Sequence, residues 1–157
     1  MGGHRSHTKH RPTKEKFYPA THVAGGSVAT KGSFSGPEID ATNEAGYVNC
    51  YLPEDFDSLE AIVLAFIAGA TATPMYVRIL TDYAKAGEAY FVHTDNGDLS
   101  INTVLERLQE LNLYDAVDRH VLEAGDYIGI QAARVAALPT ENTDMIILGV
   151  RIKYKQQ

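Results

Sequence analysis

Three histidines recur at a three-residue spacing near the N-terminus and are the first candidates for chemistry. His4, His7 and His10 carry imidazole groups that could bind a transition metal, and a helix would align them along one face. The neighbouring glycines and Pro12 oppose a stable helix in this segment. We therefore predict a polar, basic segment with no metal site.

Acidic residues form two further clusters. Residues 95–98 (Asp-Asn-Gly-Asp) offer oxygen ligands for a cation, but the remaining ligands of a calcium loop are missing, and Asn-Gly predicts a type I′ hairpin turn. Asp82, Tyr83 and Glu88 could form an acid/base group, yet no nucleophile elbow, phosphate-binding loop or dinucleotide fingerprint accompanies them. The sequence predicts no catalytic residue, no cofactor and no metal ligand, and hence a protein that is not an enzyme.

The strongest structural pattern lies in residues 122–154, which predict two strands around a loop, the first entered by a turn at residues 124–126. The second of these strands alternates with a period of two, which places apolar side chains on one face. That face comprises Ile146, Leu148, Val150, Ile152 and Tyr154. A lone hairpin cannot bury such a face, so the rest of the chain must supply a sheet.

Further strands are predicted from the same kind of pattern. Residues 59–68 also fit a buried helix, but their β-branched and aromatic content favours a strand, expected to pair with residues 75–83. Residues 103–113 fit either a strand or a helix, and residues 114–120 a helical turn. We expect a loop over residues 36–46. The other predicted strands are residues 27–34 at an edge, 47–52 ending at Pro53, and 87–94.

Seven or eight strands at short spacing, with little helix, are typical of an antiparallel β-sandwich. At 157 residues the chain is long enough for one such domain. Its one cysteine, Cys50, lies in an apolar run, which predicts a core residue and synthesis in a reducing compartment. The chain has no apolar run long enough to span a membrane and no secretory signal, so we expect a soluble protein without a membrane partner.

Charge is unevenly distributed along the chain. Residues 1–20 carry five basic residues against one acidic, a net charge of +4, while residues 21–157 carry nine against nineteen, a net charge of −10. We therefore predict an extended basic N-terminal arm over residues 1–20 and a single β-sandwich domain over residues 21–157. The residues expected to make interactions through this arm are Arg5, Lys9, Arg11, Lys14, Lys16, Phe17 and Tyr18.

Several segments together resemble small jelly-roll proteins from the structural modules of tailed phages. The resemblance covers residues 40–155 and rests on residues 46–53, the apolar strand through Phe66, Tyr83 with Gly87-Glu88, and residues 124–130 and 148–154. It implies a non-enzymatic virion component, either a capsid decoration (cement) protein or a domain of a fibre or spike. Such a protein is made in the host cytoplasm and lies on the capsid exterior.

The leading hypothesis is a decoration protein that forms a homotrimer and clamps the major capsid protein or another virion lattice. Its arm would pair residues 17–23 with a neighbour's edge strand. Nucleic acid is not expected as a partner of so acidic a body. The alternative is a glycan- or receptor-binding head using loops at residues 95–98 and 138–144, for which nine tyrosines but no tryptophan are available. The second alternative is a small sandwich-fold enzyme.

Overall fold

The computed structural model describes residues 11–135 and 144–157, which form ten β-strands. Among the described residues there is no α-helix, and hence none able to cross a membrane. A single 3-10 turn, Tyr114–Ala116, follows the eighth strand. In chain order the strands are β1 Thr13–Ala24, β2 Ser27–Lys31, β3 Phe34–Ile39, β4 Ala45–Tyr51, β5 Phe56–Ala68, β6 Ala72–Ala84, β7 His93–Thr103, β8 Leu108–Asn112, β9 Tyr127–Arg134 and β10 Met145–Gln156.

The strands form two antiparallel sheets that face each other. The first sheet contains β2, β3, β10, β5 and β8, and the second contains β4, β9, β6 and β7. Strand β1 joins both sheets, because residues 13–19 pair with β10 and residues 20–24 pair with β4 after a register shift. The predicted fold class, an all-β, jelly-roll-like antiparallel sandwich, is confirmed.

The core lies between the inner faces of the two sheets. In β5 the side chains of Ile62, Leu64 and Phe66 are completely buried, which confirms a strand rather than a helix in this segment. The facing strand β6 contributes Val77 and Ile79. Each such side chain stabilises the fold by roughly 1.5–3 kcal/mol relative to an exposed one, so this interior is the main stabilising element.

Strand β10 contains a bulge that the period-two pattern does not show. Its register with β5 shifts between Ile147 and Gly149, so the alternation changes phase there. Ile147 and Val150 both point inward with no measurable exposure, whereas Leu148 is half-buried. The predicted apolar face is therefore right from Val150 onward and wrong for the residues before the bulge.

The expected pairing between the fifth and sixth strands is wrong. Strand β5 pairs with β10 and β8 in the first sheet, and β6 pairs with β7 and β9 in the second. The three residues between them, 69–71, are long enough to cross the roughly 10 Å between packed sheets. The crossing lets both apolar strands face the same core.

The predicted strand over residues 87–94 and the predicted hairpin turn at residues 95–98 are also wrong. Residues 85–92 form the connection, and residues 95–98 lie inside β7, where they pair with Arg78–Thr81 of β6. The local turn preference of Asn-Gly is overridden by a ladder that pairs β7 along its whole length. Gly97 is needed in that ladder for close packing, since a Cβ there would lie 3.1 Å from Ala116.

The structure decides the secondary structure of two regions for which the sequence left alternatives or gave only approximate bounds. Residues 103–113 contain the end of β7, a turn with Glu106 at φ 62°, and strand β8, so the helix alternative is wrong. The helical turn expected after them is present as the 3-10 turn. The predicted edge strand at residues 27–34 is the β2–β3 hairpin, and the predicted loop at residues 36–46 is shortened because β3 continues to Ile39.

The described part of the predicted arm belongs to the sandwich. From Thr13 onward the chain is strand β1, whose first half has seven residues in register with β10. The boundary placed at residue 20 is therefore corrected, because the backbone of residues 13–20 already forms part of the sheets. Residues 1–10, including Arg5, Lys9 and the three spaced histidines, lie outside the described residues.

Candidate functional site

A row of short side chains, called the furrow below, crosses the outer face of the second sheet between two rows of longer side chains. Asn49 of β4, Gly129 of β9, Asp82 of β6 and Thr94 of β7 stand opposite one another in register and share this face. The furrow exists because Gly129 has no side chain, and a Cβ built there meets nothing nearer than the Asp82 carbonyl oxygen at 4.0 Å. Three inter-strand spacings make the furrow about 14 Å long.

Two ridges border the furrow. On one side the rings of Tyr51 and Tyr127 pack together with their centroids 4.9 Å apart. On the other side Tyr47, Gln131 and Leu80 lie in register. The ridges are four residues apart along each strand, or about 13 Å. The space between them is therefore wide enough to admit a flat ring with the tyrosines at its borders.

The ridge of Tyr47 extends onto β1 and β7. The His22 imidazole lies 5.5 Å from the Tyr47 ring, centroid to centroid. Asn96 continues the same row beyond Leu80. This contact exists because β1 pairs with β4, which places His22 opposite Tyr47.

The polar side chains of the furrow and its borders are not used by the fold. Within residues 11–135 and 144–157, no protein group hydrogen-bonds to the side chain of any of them. Alternate residues of β4, β6 and β9 are buried, which fixes the backbone of these strands. The sheet therefore orients the outward polar side chains, although no described protein group hydrogen-bonds to them. Amides, a carboxylate and a hydroxyl together offer both donors and acceptors to a ligand. These side chains are Asn49, Asp82, Thr94, Asn96 and Gln131.

The charges bordering the furrow are largely paired. Arg78 donates to Asp98 through Nε (2.8 Å) and Nη2 (2.9 Å), and this ion pair lowers the pKa of the Asp98 carboxyl. Arg134 donates to the Asp40 carbonyl oxygen. Asp82 is then the one charged side chain in the furrow itself, which gives the site a weakly acidic character.

Tyr51 is held in place by contacts at both of its polar groups. Its hydroxyl donates to Glu54 Oε1 at 3.2 Å, and its carbonyl oxygen accepts from the Tyr18 hydroxyl. Burial, followed by the hydrogen bond to Glu54, raises the pKa of Tyr51, and burial raises that of Tyr18. Both hydroxyls therefore stay protonated, and the Tyr51–Tyr127 ridge is a fixed feature of the surface.

Several of the described residues predicted to act through an arm contact the protein's own body. Lys14 Nζ lies 2.9 Å from Asp55 Oδ2, and Arg11 Nη1 lies 2.5 Å from Asp57 Oδ2. Phe17 lies against Gly149, while Lys16 is exposed. Residues 17–19 pair with β10 and residues 20–24 with β4, each along one edge of β1. The expected pairing of residues 17–23 with a neighbour's edge strand stays a prediction.

The acidic clusters do not assemble into chemical sites. Tyr83 points into the core and bonds to Thr81 Oγ1 at 2.8 Å, while Asp82 points outward, so the two cannot act on one substrate. Glu88 is in the following connection. No group of three potential metal ligands is present among the described residues. Of the two loops predicted for a binding head, residues 95–98 form strand, and residues 138–143 lie outside the described residues.

The furrow was missed in the sequence, although a signal for it was present. Tyr47, Asn49 and Tyr51 alternate with buried residues along β4, and Tyr127, Gly129 and Gln131 do so along β9. Two adjacent strands that each place aromatic and amide side chains on one outer face would have indicated a binding surface. Their adjacency, however, is a property of the sheet order and not of either segment.

Comparisons with known proteins return similarities of structure. No protein-family model matches the chain, and no curated sequence is significantly similar to it. The fold is similar to the CBM36-1 domain of a multidomain xylanase from the hindgut metagenome of Trinervitermes trinervoides (15% identity, TM-score 0.49), covering 88% of this chain and 96% of that chain. It is also similar to the carbohydrate-binding module CBM36 in complex with calcium and xylotriose (12% identity, TM-score 0.49), covering 89% and 98%.

A third similar structure is the family 11 carbohydrate-binding module from Clostridium thermocellum in complex with a β-1,3-1,4-mixed-linked tetrasaccharide (11% identity, TM-score 0.43), covering 97% of this chain and 93% of that chain. All three are carbohydrate-binding modules, and none is a phage virion protein. The resemblance to virion proteins gains no support from them. Any function for this chain has to be argued from its own residues.

Proposed function

We propose that the protein is a glycan-binding domain whose site is the furrow of Asn49, Gly129, Asp82 and Thr94. The observation that carries this proposal is a furrow bordered by tyrosines and lined by polar side chains that have no hydrogen-bond partner among residues 11–135 and 144–157. This is the predicted alternative of a glycan-binding head, with the site moved from loops to a sheet face. The capsid partner, the homotrimer and the virion location stay predictions.

The chemistry of a sugar ring matches that of the furrow. A pyranose has faces formed by C–H groups, which pack on aromatic rings such as Tyr127 and Tyr51, and a rim of hydroxyl groups. Hydroxyls both donate and accept, and they need planar amide and carboxylate groups close to the ring, as Asn49, Gln131 and Asp82 supply. A rigid sheet presents these groups in fixed positions, which reduces the entropic cost of binding.

The charges favour an uncharged glycan. Asp82 carries a negative charge into the furrow, and the nearby Arg78 is already neutralised by Asp98. A uronic acid or sulfated sugar would place like charges together, and the described residues of the furrow include no lysine or arginine to compensate. The same argument disfavours nucleic acid, whose phosphates need lysine or arginine contacts. We therefore propose neutral oligosaccharides as the ligand class.

The proposal is tested by substitutions that remove a ridge or fill the furrow. On an array of neutral, acidic and amino glycans the protein should bind neutral chains. Tyr127→Ala should weaken that binding by about thirtyfold or more, the effect of losing a central aromatic contact. Gly129→Leu should weaken it as strongly, because its side chain occupies the groove. Titration calorimetry on the bound glycan gives the affinities.

Phe34→Ala is the matched control, since Phe34 is an equally exposed aromatic on the β2–β3 hairpin of the other sheet. It should leave glycan affinity unchanged, and all three variants should keep the wild-type circular dichroism spectrum. Absence of binding to every neutral glycan contradicts the proposal. So does binding that survives both furrow substitutions.

A further inference from the structure

The connection between β6 and β7, residues 85–92, exposes three consecutive apolar side chains. Tyr90, Phe91 and Val92 are 73%, 59% and 46% exposed, with the two rings packed edge to face at a centroid distance of 4.9 Å and an angle of 86°. None of the three contributes to the core. A cluster of this kind at a loop tip typically marks a contact surface.

The loop is held in a defined shape by its own turns. Glu88 N–H donates to the Lys85 carbonyl oxygen (3.1 Å), and the Glu88 carboxylate accepts from Lys85 N–H (2.8 Å). Val92 N–H donates to the Ala89 carbonyl oxygen in a second turn, 3.1 Å away. Gly87 supplies the positive φ, +92°, that the first turn requires. The aromatic tip is therefore presented on a short, ordered support.

The loop also adjoins the side of the furrow that the Tyr51–Tyr127 ridge borders. It begins directly after Ala84, which stands opposite Tyr127 in the β6–β9 ladder. Lys85 forms an ion pair with Glu123, in the segment that leads into β9 and Tyr127. The exposed rings thus lie near the end of the second sheet that carries Tyr51 and Tyr127.

We propose that Tyr90 and Phe91 bind sugar units of the same glycan chain beyond those held in the furrow. This inference rests on the proposed function and extends it to chain length: the protein prefers long oligosaccharides to short ones. The furrow alone spans about 14 Å between its outer strands, so a short glycan fills it without reaching the loop. A longer chain that leaves the furrow at its Thr94 end meets the loop next, because Val92 lies two residues before Thr94 in the chain.

A lipid surface is the rival occupant for exposed aromatic residues, and the charges disfavour it. The residues flanking the tip include Glu88 and Glu123, and the body carries a net charge of −10 over residues 21–157. Anionic bilayers attract basic segments, not acidic ones. The loop and the proposed sugar site, by contrast, belong to the same β6–β7 hairpin, in which Val92 lies two residues before Thr94.

The test uses β-1,4-linked glucose, xylose and N-acetylglucosamine oligosaccharides of two and six units as probes. The double variant Tyr90→Ala/Phe91→Ala should lose about tenfold in affinity for the six-unit probe that wild type binds, the usual effect of losing aromatic contacts. Its affinity for the two-unit probe should be unchanged. Tyr127→Ala should weaken both, and Phe34→Ala neither.

Three results overturn the inference. The first is a six-unit affinity that is the same in wild type and double variant, which leaves the proposed function intact if Tyr127→Ala still abolishes binding. The second is flotation of wild type, but not of the double variant, with phosphatidylcholine vesicles, which assigns the loop to a lipid surface. The third is wild type binding none of the probes, which removes the furrow proposal together with this one.

Discussion

Two glycines in the middle of the two sheets have opposite surroundings. A Cβ at Gly149 of β10 would lie 2.2 Å from the Tyr18 carbonyl oxygen and 2.7 Å from the Phe17 ring. A Cβ at Gly129 of β9 would meet only the Asp82 carbonyl oxygen, at 4.0 Å. The first glycine is needed so that β1 can pack, and the second leaves a surface groove. The same residue type therefore serves stability in one sheet and binding in the other.

The outer faces of the two sheets also differ, since that of the first sheet is covered and that of the second is open. In β5 of the first sheet, Val63 and Ala65 alternate with inward-facing residues, yet each is no more than 8% exposed. They are covered because Arg151 of β10 donates to Glu110 of β8 at 2.7 Å, and that ion pair must pass over β5. The second sheet has no such cover over its furrow among the described residues. One face is closed by the protein itself, and the other is open to a ligand.

The largest expected difference in stability is between two variants that each replace one of these glycines with alanine. Gly149→Ala should destabilise the protein by about 2–3 kcal/mol, because the clash with Tyr18 involves backbone that cannot move without breaking the β1–β10 ladder. Gly129→Ala should cost nothing or stabilise by up to about 1 kcal/mol, since alanine suits a strand better than glycine. Urea unfolding measures both. Equal stability of the two variants would show that the surroundings of the glycines do not differ as described.

A smaller effect is expected from removing the cover of the first sheet. Arg151→Ala should destabilise by about 1 kcal/mol, since it exposes Val63 and leaves Glu110 without its ion pair. Arg78→Ala, which breaks the corresponding ion pair in the second sheet, should leave the stability nearly unchanged, because that pair is exposed and covers no apolar surface.

Arg151→Met is the matched control for this comparison, since it keeps most of the side chain that lies over Val63 while removing the charge. It should recover most of the stability that Arg151→Ala loses, in the same urea experiment. A loss as large for methionine as for alanine would mean that the ion pair matters and the apolar cover does not.

The smallest expected effect is on the stability of the protein at low pH. The ion pair with Arg78 lowers the pKa of Asp98 in the folded protein, so its contribution to stability is complete above the pKa of the unfolded state and is lost as pH falls through the folded-state value. In wild type, NMR titration should place the pKa of Asp98 below that of an ordinary aspartate. In Arg78→Ala it should rise toward the ordinary value, near 3.9. An unchanged Asp98 titration would show that the pair does not persist in solution.

Sequence patterns predicted where individual strands lie far better than which strands pair with each other. The strand at Tyr47 and the strand through Phe66 were both found, because alternation and apolar content are local properties. Their neighbours were not found, as the incorrect pairing of β5 with β6 shows. The Asn-Gly turn signal failed for a related reason, since a ladder along β7 outweighs a local preference that is worth about 1 kcal/mol.

The candidate site could not be predicted in the same way. Its residues come from four strands that are far apart in the chain, and Asn49 meets Gly129 only because β4 and β9 are neighbours. The predicted arm shows the converse error: residues 13–20 are polar enough to suggest a free segment, but the backbone ladder with β10 places them in the sheet. Backbone pairing does not require apolar side chains, so composition alone misassigned them.

The sequence by itself determined an all-β sandwich, its apolar interior and a core position for Cys50, and it left the placement of nine tyrosines open. The structure adds that burial raises the pKa of Cys50 to about 12. Only the tertiary structure decided which strands adjoin, and therefore which tyrosines border a groove and which glycine leaves it empty. The physical reason is that alternation fixes which side of a strand faces the core, whereas the choice of neighbouring strand depends on long-range backbone pairing and close packing between segments distant in the chain.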